Sequence, residues 1–200
     1  DTPLGAADKY ITDFREVGRA LPDMGDDPRV SSFGPETAPV EMQIFFGYET
    51  DELAEHLLGF EELRALFPDE LRIVFRHHAW NERCNFHSNR NRPNNSCVMH
   101  HALESAAILG GNEAFQAAYL WMLDNLNSFD ESRVPELADF LGLDPVAFQR
   151  SVDSPQVQAE CFADATLLHT SPPRPAHKPP VFIHNNHLKR LEHRGVPSGP

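Results

Sequence analysis

The sequence predicts an α/β domain, and three observations point to it. Residues 40–75 read as strand, helix, strand; residues 97–170 read as an almost unbroken series of helices; and a proline-rich stretch at 172–180 leads into a short apolar strand with a turn signal behind it. A strand–helix–strand unit followed by helices and then by a hairpin describes a helical insertion within an α/β frame.

The unit at residues 40–75 organises the rest. Val40, Met42, Ile44 and Phe46 alternate with Glu41, Gln43 and Phe45, the period of a strand with a buried face. After Gly47-Tyr48-Glu49 the apolar residues change to helical spacing: Leu53, Leu57, Phe60, Leu63 and Phe67. Thr50 suits an N-cap, and Asp51 and Glu52 fall in the first turn, where carboxylates meet the positive end of the helix dipole. Pro68-Asp69 ends the helix, and Leu71-Arg72-Ile73-Val74-Phe75, rich in β-branched and aromatic residues, makes a second strand. Two short strands joined by such a helix predict a right-handed parallel βαβ unit.

Upstream, residues 6–21 carry Tyr10, Phe14, Val17 and Leu21 on one stripe and predict an amphipathic helix docked on the parent domain. Residues 22–38 read as an irregular lead-in, with Pro39 tolerated just before the strand. Downstream, His77-His78-Ala79-Trp80 opens onto a polar loop at 81–96, long enough to need a constraint. Met99, Leu103, Ala106 and Ala107 start a helix that Gly110-Gly111 ends. Phe115, Ala118, Tyr119, Met122 and Leu126 make the next. A third runs from Val134 and is closed by Gly142; Asp144-Pro145 starts a fourth; Ser154-Pro155 starts a fifth, with Val157, Cys161, Ala165 and Leu168 on one face. Val181-Phe182-Ile183 reads as a strand, Asn185-Asn186 as a tight turn, and His187-Leu188-Lys189 as its hairpin partner. Residues 195–200 read as a frayed tail.

Seventeen basic residues against thirty acidic ones give a net charge of −13, which excludes a phosphate-backbone partner such as nucleic acid. No apolar run approaches the roughly 20 residues that span a bilayer. The chain begins at Asp1, as expected of a processed chain or of an ectodomain with an anchor upstream. The sequence contains no GxSxG, HExxH, P-loop or CxxCH pattern, so no cofactor is expected.

The order of elements resembles the DsbA-like branch of thioredoxin-fold proteins. The stretches that carry the resemblance are Gly34-Pro35-Glu36-Thr37-Ala38-Pro39-Val40, Ile44-Phe45-Phe46-Gly47-Tyr48, Leu71-Arg72-Ile73-Val74-Phe75-Arg76-His77, Asp153-Ser154-Pro155-Gln156-Val157-Gln158-Ala159 and Pro179-Pro180-Val181-Phe182-Ile183-His184-Asn185. The resemblance implies a thioredoxin-like fold with a DsbA-type all-helical insertion. It divides the chain into an N-terminal helix and lead-in (1–33), a βαβ half (34–80), a loop and helical insertion (81–170) and a C-terminal hairpin half (171–200). It places Pro180 at the family's cis-proline. The family's Cys-x-x-Cys falls on Thr50-Asp51-Glu52-Leu53, where both sulfurs are missing, and no cysteine occurs before Cys84. Neither a threonine hydroxyl nor a leucine can carry out thiol–disulfide exchange, so Thr50 and Leu53 read as a degenerate redox pair.

There are three cysteines. Cys84-Asn85 after the second strand and Cys97 at the start of the next helix match a cysteine pair found in some relatives, which implies a structural disulfide. Closing a loop of about 14 residues contributes about 3 kcal/mol. The alternative is a metal site: Cys84-x-x-His87 and Cys97-x-x-His100 present Cys and His at short spacing. Cys161, on an apolar helical face, reads as an inert buried thiol. Eleven histidines are many for this length; each reads first as a solvated or hydrogen-bonded side chain, and the sharper alternative puts His77, His78, His184 and His187 on the side of the former redox site, making binding pH-dependent as a set.

These readings favour a non-catalytic binding or structural module, an accessory subunit or ectodomain of a larger envelope assembly. It would sit in the periplasm or another extracytoplasmic space, with a protein partner and with tethering to a membrane upstream of Asp1. The alternatives are a thiol–disulfide oxidoreductase using Cys84 and Cys97, and a metal-binding protein using Cys84, His87, Cys97 and His100.

Overall fold

A computed structural model of the chain describes residues 31–47, 53–88, 95–170 and 181–184. Four strands form one sheet: β1 (Ser32–Phe33), β2 (Val40–Phe46), β3 (Leu71–His77) and β4 (Val181–His184), in the order β1-β3-β2-β4. β2 and β3 are parallel, in register from Val40 opposite Leu71 to Phe46 opposite His77, and α1 (Leu53–Leu66) connects them. This is the expected strand–helix–strand unit. β3 extends two residues past Phe75. The extension is held by Asp164, whose carboxylate accepts from the His77 N–H at 2.9 Å.

Alternation gave β2 at least one buried face, and both are covered: Met42, Gln43, Ile44 and Phe45 are all buried. The strand is central, between β3 and β4, and lies between helical layers, so its apparently polar side is covered too. The lead-in at 22–38 was expected to be irregular, but Ser32 and Phe33 pair antiparallel with Val74 and Ile73. A two-residue strand has no period to detect. Tertiary partners hold it: Ser31 O accepts from the Phe75 N–H at 2.9 Å, Asn112 Oδ1 accepts from the Ser32 N–H at 2.9 Å, and Gln116 Nε2 donates to Ser32 O at 2.7 Å. Asn112 and Gln116 lie one helical turn apart and fill the hydrogen-bonding edge that another strand would otherwise use. Gly34 then turns the chain at φ +90°, with its Cα so close to the Leu71 carbonyl that a Cβ would overlap it.

The helical block begins with α2 (Asn95–Asn125), broken by positive φ at Gly111, where two helices were expected. A short 3₁₀ turn (Glu131–Arg133) precedes α3 (Val134–Phe140). Gly142, at φ +68°, closes α3, and the Leu143 N–H returns to Ala138 O. α4 (Pro145–Val152) is capped by Asp144, whose Oδ1 accepts from the Ala147 N–H at 2.7 Å. Ser154 Oγ accepts from the Val157 N–H and starts α5 (Pro155–Thr170), whose buried stripe is Val157, Cys161, Ala165 and Leu168, as the spacing predicted.

One face of the sheet and α2 share the main core. Phe33, Phe75, Phe115 and Tyr119 form an aromatic cluster with ring centroids 4.7–6.4 Å apart. Each such ring contributes about 1.5–3 kcal/mol of burial, so this cluster fixes α2 on the sheet. α5 packs on β2 and β3 as well as on α2. The expected helix at 6–21 and the expected turn and return strand at 185–189 lie outside the described residues.

Candidate functional site

The sheet register defines a place. β2 and β3 end together, Phe46 opposite His77, and α1 follows from that end of β2. β4 starts there as well, Val181 pairing with Ile44. In parallel α/β sheets, ligands and chemistry gather at the carboxyl ends of the strands. Leu53 is the first residue of α1; Thr50 and Pro180 lie outside the described residues. One histidine is misplaced by the sequence reading. His184 pairs with Glu41, at the opposite end of β2 from His77, because β4 runs antiparallel. His187 lies outside the described residues.

At this end the strand closes on a buried polar network. Inward alternation along β3 takes Ile73 and Phe75 into the core and His77 after them. His77 Nδ1 lies 2.9 Å from His100 Nδ1, and His77 Nε2 lies 3.1 Å from Glu104 Oε2, all three residues being buried. His100 and Glu104 are one turn apart on α2, on the stripe that also buries Met99 and Leu103. With Glu104 as a carboxylate, His77 donates from Nε2 and accepts at Nδ1 from His100, so one tautomer of each ring completes the chain. On the α5 side, Asp164 takes the His77 N–H and an Arg76 guanidinium N–H at 3.1 Å. A single carboxylate therefore fixes both terminal residues of β3.

Burial sets the electrostatics. It pushes the His78 and His101 imidazoles down to about 4 and His100 well below the ordinary histidine range; neighbouring histidines add to the effect. Asp164 is raised by burial, a shift that Arg76 opposes. The Cys161 thiol is raised well above its ordinary value by burial and by the nearby Glu104 and Asp164 carboxyls, which fits the inert thiol expected there. At neutral pH, His78, His100 and His101 are therefore uncharged.

Cys84 and Cys97 form a disulfide with a Cα–Cα distance of 5.8 Å, tying the segment after β3 to the first turn of α2. This is the expected crosslink. It occupies both sulfurs that the alternative metal set required. The two histidines of that set also separate: His100 is buried against His77, whereas His87 stacks on His169 of α5 at 4.1 Å. Among the described residues no group of three or more His, Cys, Asp or Glu side chains is arranged to hold an ion.

Sequence reasoning missed Glu104, Asp164 and His169. Acidic residues on helices were read as solvated charge, yet Glu104 sits at the i+4 position from His100 on an otherwise apolar stripe. That spacing was the available signal. Asp164 gave none, because its partners lie 87 and 88 residues away.

No known family pattern matches the sequence, and no curated protein matches it. Solved structures do. Pseudomonas aeruginosa DsbA2 superposes with a TM-score of 0.60 at 15% identity, over 79% of this chain and 81% of that one. A thioredoxin-like oxidoreductase from Silicibacter pomeroyi gives 0.57 at 20% identity, over 84% and 92%. The thiol-disulfide exchange protein α-DsbA2 from Wolbachia pipientis gives 0.61 at 13% identity, over 86% and 89%. The chain thus has the thioredoxin-like fold with a DsbA-type helical insertion.

Proposed function

We propose that this chain is a DsbA-like module that has lost its redox pair and acts by binding, as an accessory subunit or ectodomain of an extracytoplasmic, membrane-tethered assembly with a protein partner. One observation carries the reading. The positions leading into α1, where the DsbA-type fold resembled in sequence has Cys-x-x-Cys, read Thr50-Asp51-Glu52-Leu53, and the first cysteine of the chain is Cys84. Around this edge the uncharged His78, His100 and His101 and the hydrogen-bonded Glu104 and Asp164 hold the fold and offer no sulfur. No helix among the described residues is long and apolar enough to cross a membrane, so the reading places any tether outside them. Insulin reduction tests the first half of the reading: no turnover above the uncatalysed rate is expected. Thr50→Cys with Leu53→Cys tests the alignment: the double variant is expected to form a second disulfide, and failure to do so counts against it.

A second reading has one observation in its favour. The Cys84–Cys97 disulfide is present and only half-buried, with Cys97 in the first turn of α2, where a helix N-terminus lowers a thiol pKa. Under this reading the chain exchanges disulfides through that pair. Activity that Cys84→Ser abolishes establishes it and defeats the first.

A further inference from the structure

An apolar surface stands apart from the strand-end site. Leu120 and Trp121 lie near the end of α2, and Phe140 closes α3. Phe140 is 56% exposed and Leu120 43%, and the half-buried Trp121 ring meets Phe140 at 6.3 Å. That ring is held from its other sides. Buried Phe129 packs edge-on against it at 5.8 Å, and the Arg133 guanidinium lies over it at 5.0 Å. Arg133 is fixed in turn: Nε and Nη2 donate to the two carboxylate oxygens of Glu136 at 2.7 Å, and Nη2 also donates to Asn125 Oδ1 at 2.9 Å. The patch therefore stands on a framed ring, which has little freedom left to lose when it is covered.

We propose that Leu120, Trp121 and Phe140 form a docking face for a cationic amphipathic segment of the protein partner, which sets apolar side chains on the two rings and lysines or arginines on the carboxylates around them.

Charge chooses the occupant. Residues 124–144 carry six carboxylates against one guanidinium, and that guanidinium is paired with Glu136. Asp124, one turn on from Leu120, and Asp139, next to Phe140, are exposed, as is Glu131; none of the three has a hydrogen bond or ion pair among the described residues. A nucleic acid or an anionic membrane would meet like charge here. A second copy docking by the same face would set its own carboxylates against these. A cationic partner meets neither penalty, and complementary rims steer its approach and fix its register. Tryptophan, arginine and other aromatic side chains are also the residue types from which binding hot spots are built, around a centre from which water is excluded. The inference rests on the reading of this chain as a binding module and names the partner's chemistry. It uses no residue of the His77 network or of the disulfide.

Isothermal titration calorimetry on the oxidised, full chain tests it, with two synthetic amphipathic helical peptides as probes: one of leucine and lysine, and one with the same leucine pattern and glutamate in place of lysine. The leucine–lysine peptide is expected to bind one to one, and the leucine–glutamate peptide about tenfold more weakly or not at all. Phe140→Ser, at an exposed position, is expected to weaken the leucine–lysine peptide about tenfold. Asp124→Asn/Glu131→Gln/Asp139→Asn is expected to weaken it too and to flatten its dependence on salt. Thermal unfolding followed by circular dichroism checks that both variants keep the parent's fold. Equal binding of the two peptides overturns the proposal, as does binding that Phe140→Ser leaves unchanged, or no binding at all. Self-association of the protein that Phe140→Ser abolishes also overturns it, because the face then belongs to a second copy. Insulin reduction reports on the module reading separately: no turnover together with no peptide binding removes this face alone.

Discussion

Acid should unfold this protein far above the pH at which its carboxylates titrate, and the size of the effect follows from His78 and His101. Each is held at about 4 in the folded chain against an ordinary value of 6.5. Both shifts are downward and both groups are bases, so the folded state excludes protons that the unfolded chain binds. The stabilisation of the neutral, folded form is complete above pH 6.5 and is lost as pH falls from there towards 4. The full gap corresponds to about 3 kcal/mol per ring, and to about 2 kcal/mol per ring by pH 5. Both rings keep some solvent contact, so these are upper bounds. His100, fully buried, acts in the same direction. Asp164 opposes: its raised carboxyl takes up a proton in the folded state first, offsetting at most one proton. Together the two rings cost up to about 4 kcal/mol by pH 5, a large part of the 5–15 kcal/mol that a domain has. Urea unfolding followed by circular dichroism at pH 7.5, 6.5, 5.5 and 5.0 measures it, and His101→Gln is expected to flatten the slope by up to about 1.4 kcal/mol per pH unit. A midpoint that stays constant from pH 7.5 to pH 5.0, with an unchanged denaturant dependence, would refute the reasoning, because it would mean that the folded chain protonates as readily as the unfolded one.

The disulfide and the β1 turn give two further expectations. Cys84→Ser/Cys97→Ser is expected to lower stability by about 3 kcal/mol in the chain-entropy account of a loop this size, read from thermal unfolding with and without reductant; the reduced parent should match the variant. Gly34→Ala is expected to cost about 2–4 kcal/mol, since it forces a Cβ into positive φ and onto the Leu71 carbonyl, and the exchange of the Phe75 amide, which bonds to Ser31, should quicken with it.

What was legible in the sequence divides along the range of the interactions. Elements stabilised by their own residues could be read: Asp144-Pro145 and Ser154-Pro155 as helix starts, Gly142 as a helix end, Gly110-Gly111 as a break, and the stripe Val157, Cys161, Ala165, Leu168 as a buried face. Each rests on capping, backbone freedom or a 3.6-residue period, all local. β1 could not be read, because Ser32 and Phe33 are a strand only where Asn112 and Gln116 complete their edge. The site was half legible for the same reason. The Cys84–Cys97 pairing followed from a resemblance, and His77 was correctly placed at the end of a strand. Its partners His100 and Glu104 come from another element, and Asp164 from a third, so the network had no single stretch to show itself in.

The buried network also bears on the proposed loss of redox chemistry, through charge rather than through the missing sulfurs. A thiol at a helix start becomes a good nucleophile when positive charge or the helix dipole lowers its pKa. Here the imidazoles His78, His100 and His101 at this edge are neutral at pH 7 because burial keeps them so, and Arg76 is paired with Asp164. The sequence adds Asp51 and Glu52 between the two lost positions. Among the described residues, these groups supply no free cation to the helix start, and the two carboxylates that the sequence adds there act against a thiolate. In the Thr50→Cys/Leu53→Cys variant the geometry should allow a disulfide, yet its thiol should titrate near the ordinary value of about 8.5 and exchange slowly at neutral pH. Iodoacetamide alkylation rates against pH measure this on the reduced variant, with Cys161 protected by burial. A thiol titrating two units lower would show that the site kept its electrostatics and lost only its sulfur. A thiol in the ordinary range would show that residues around the site now suit packing and binding instead.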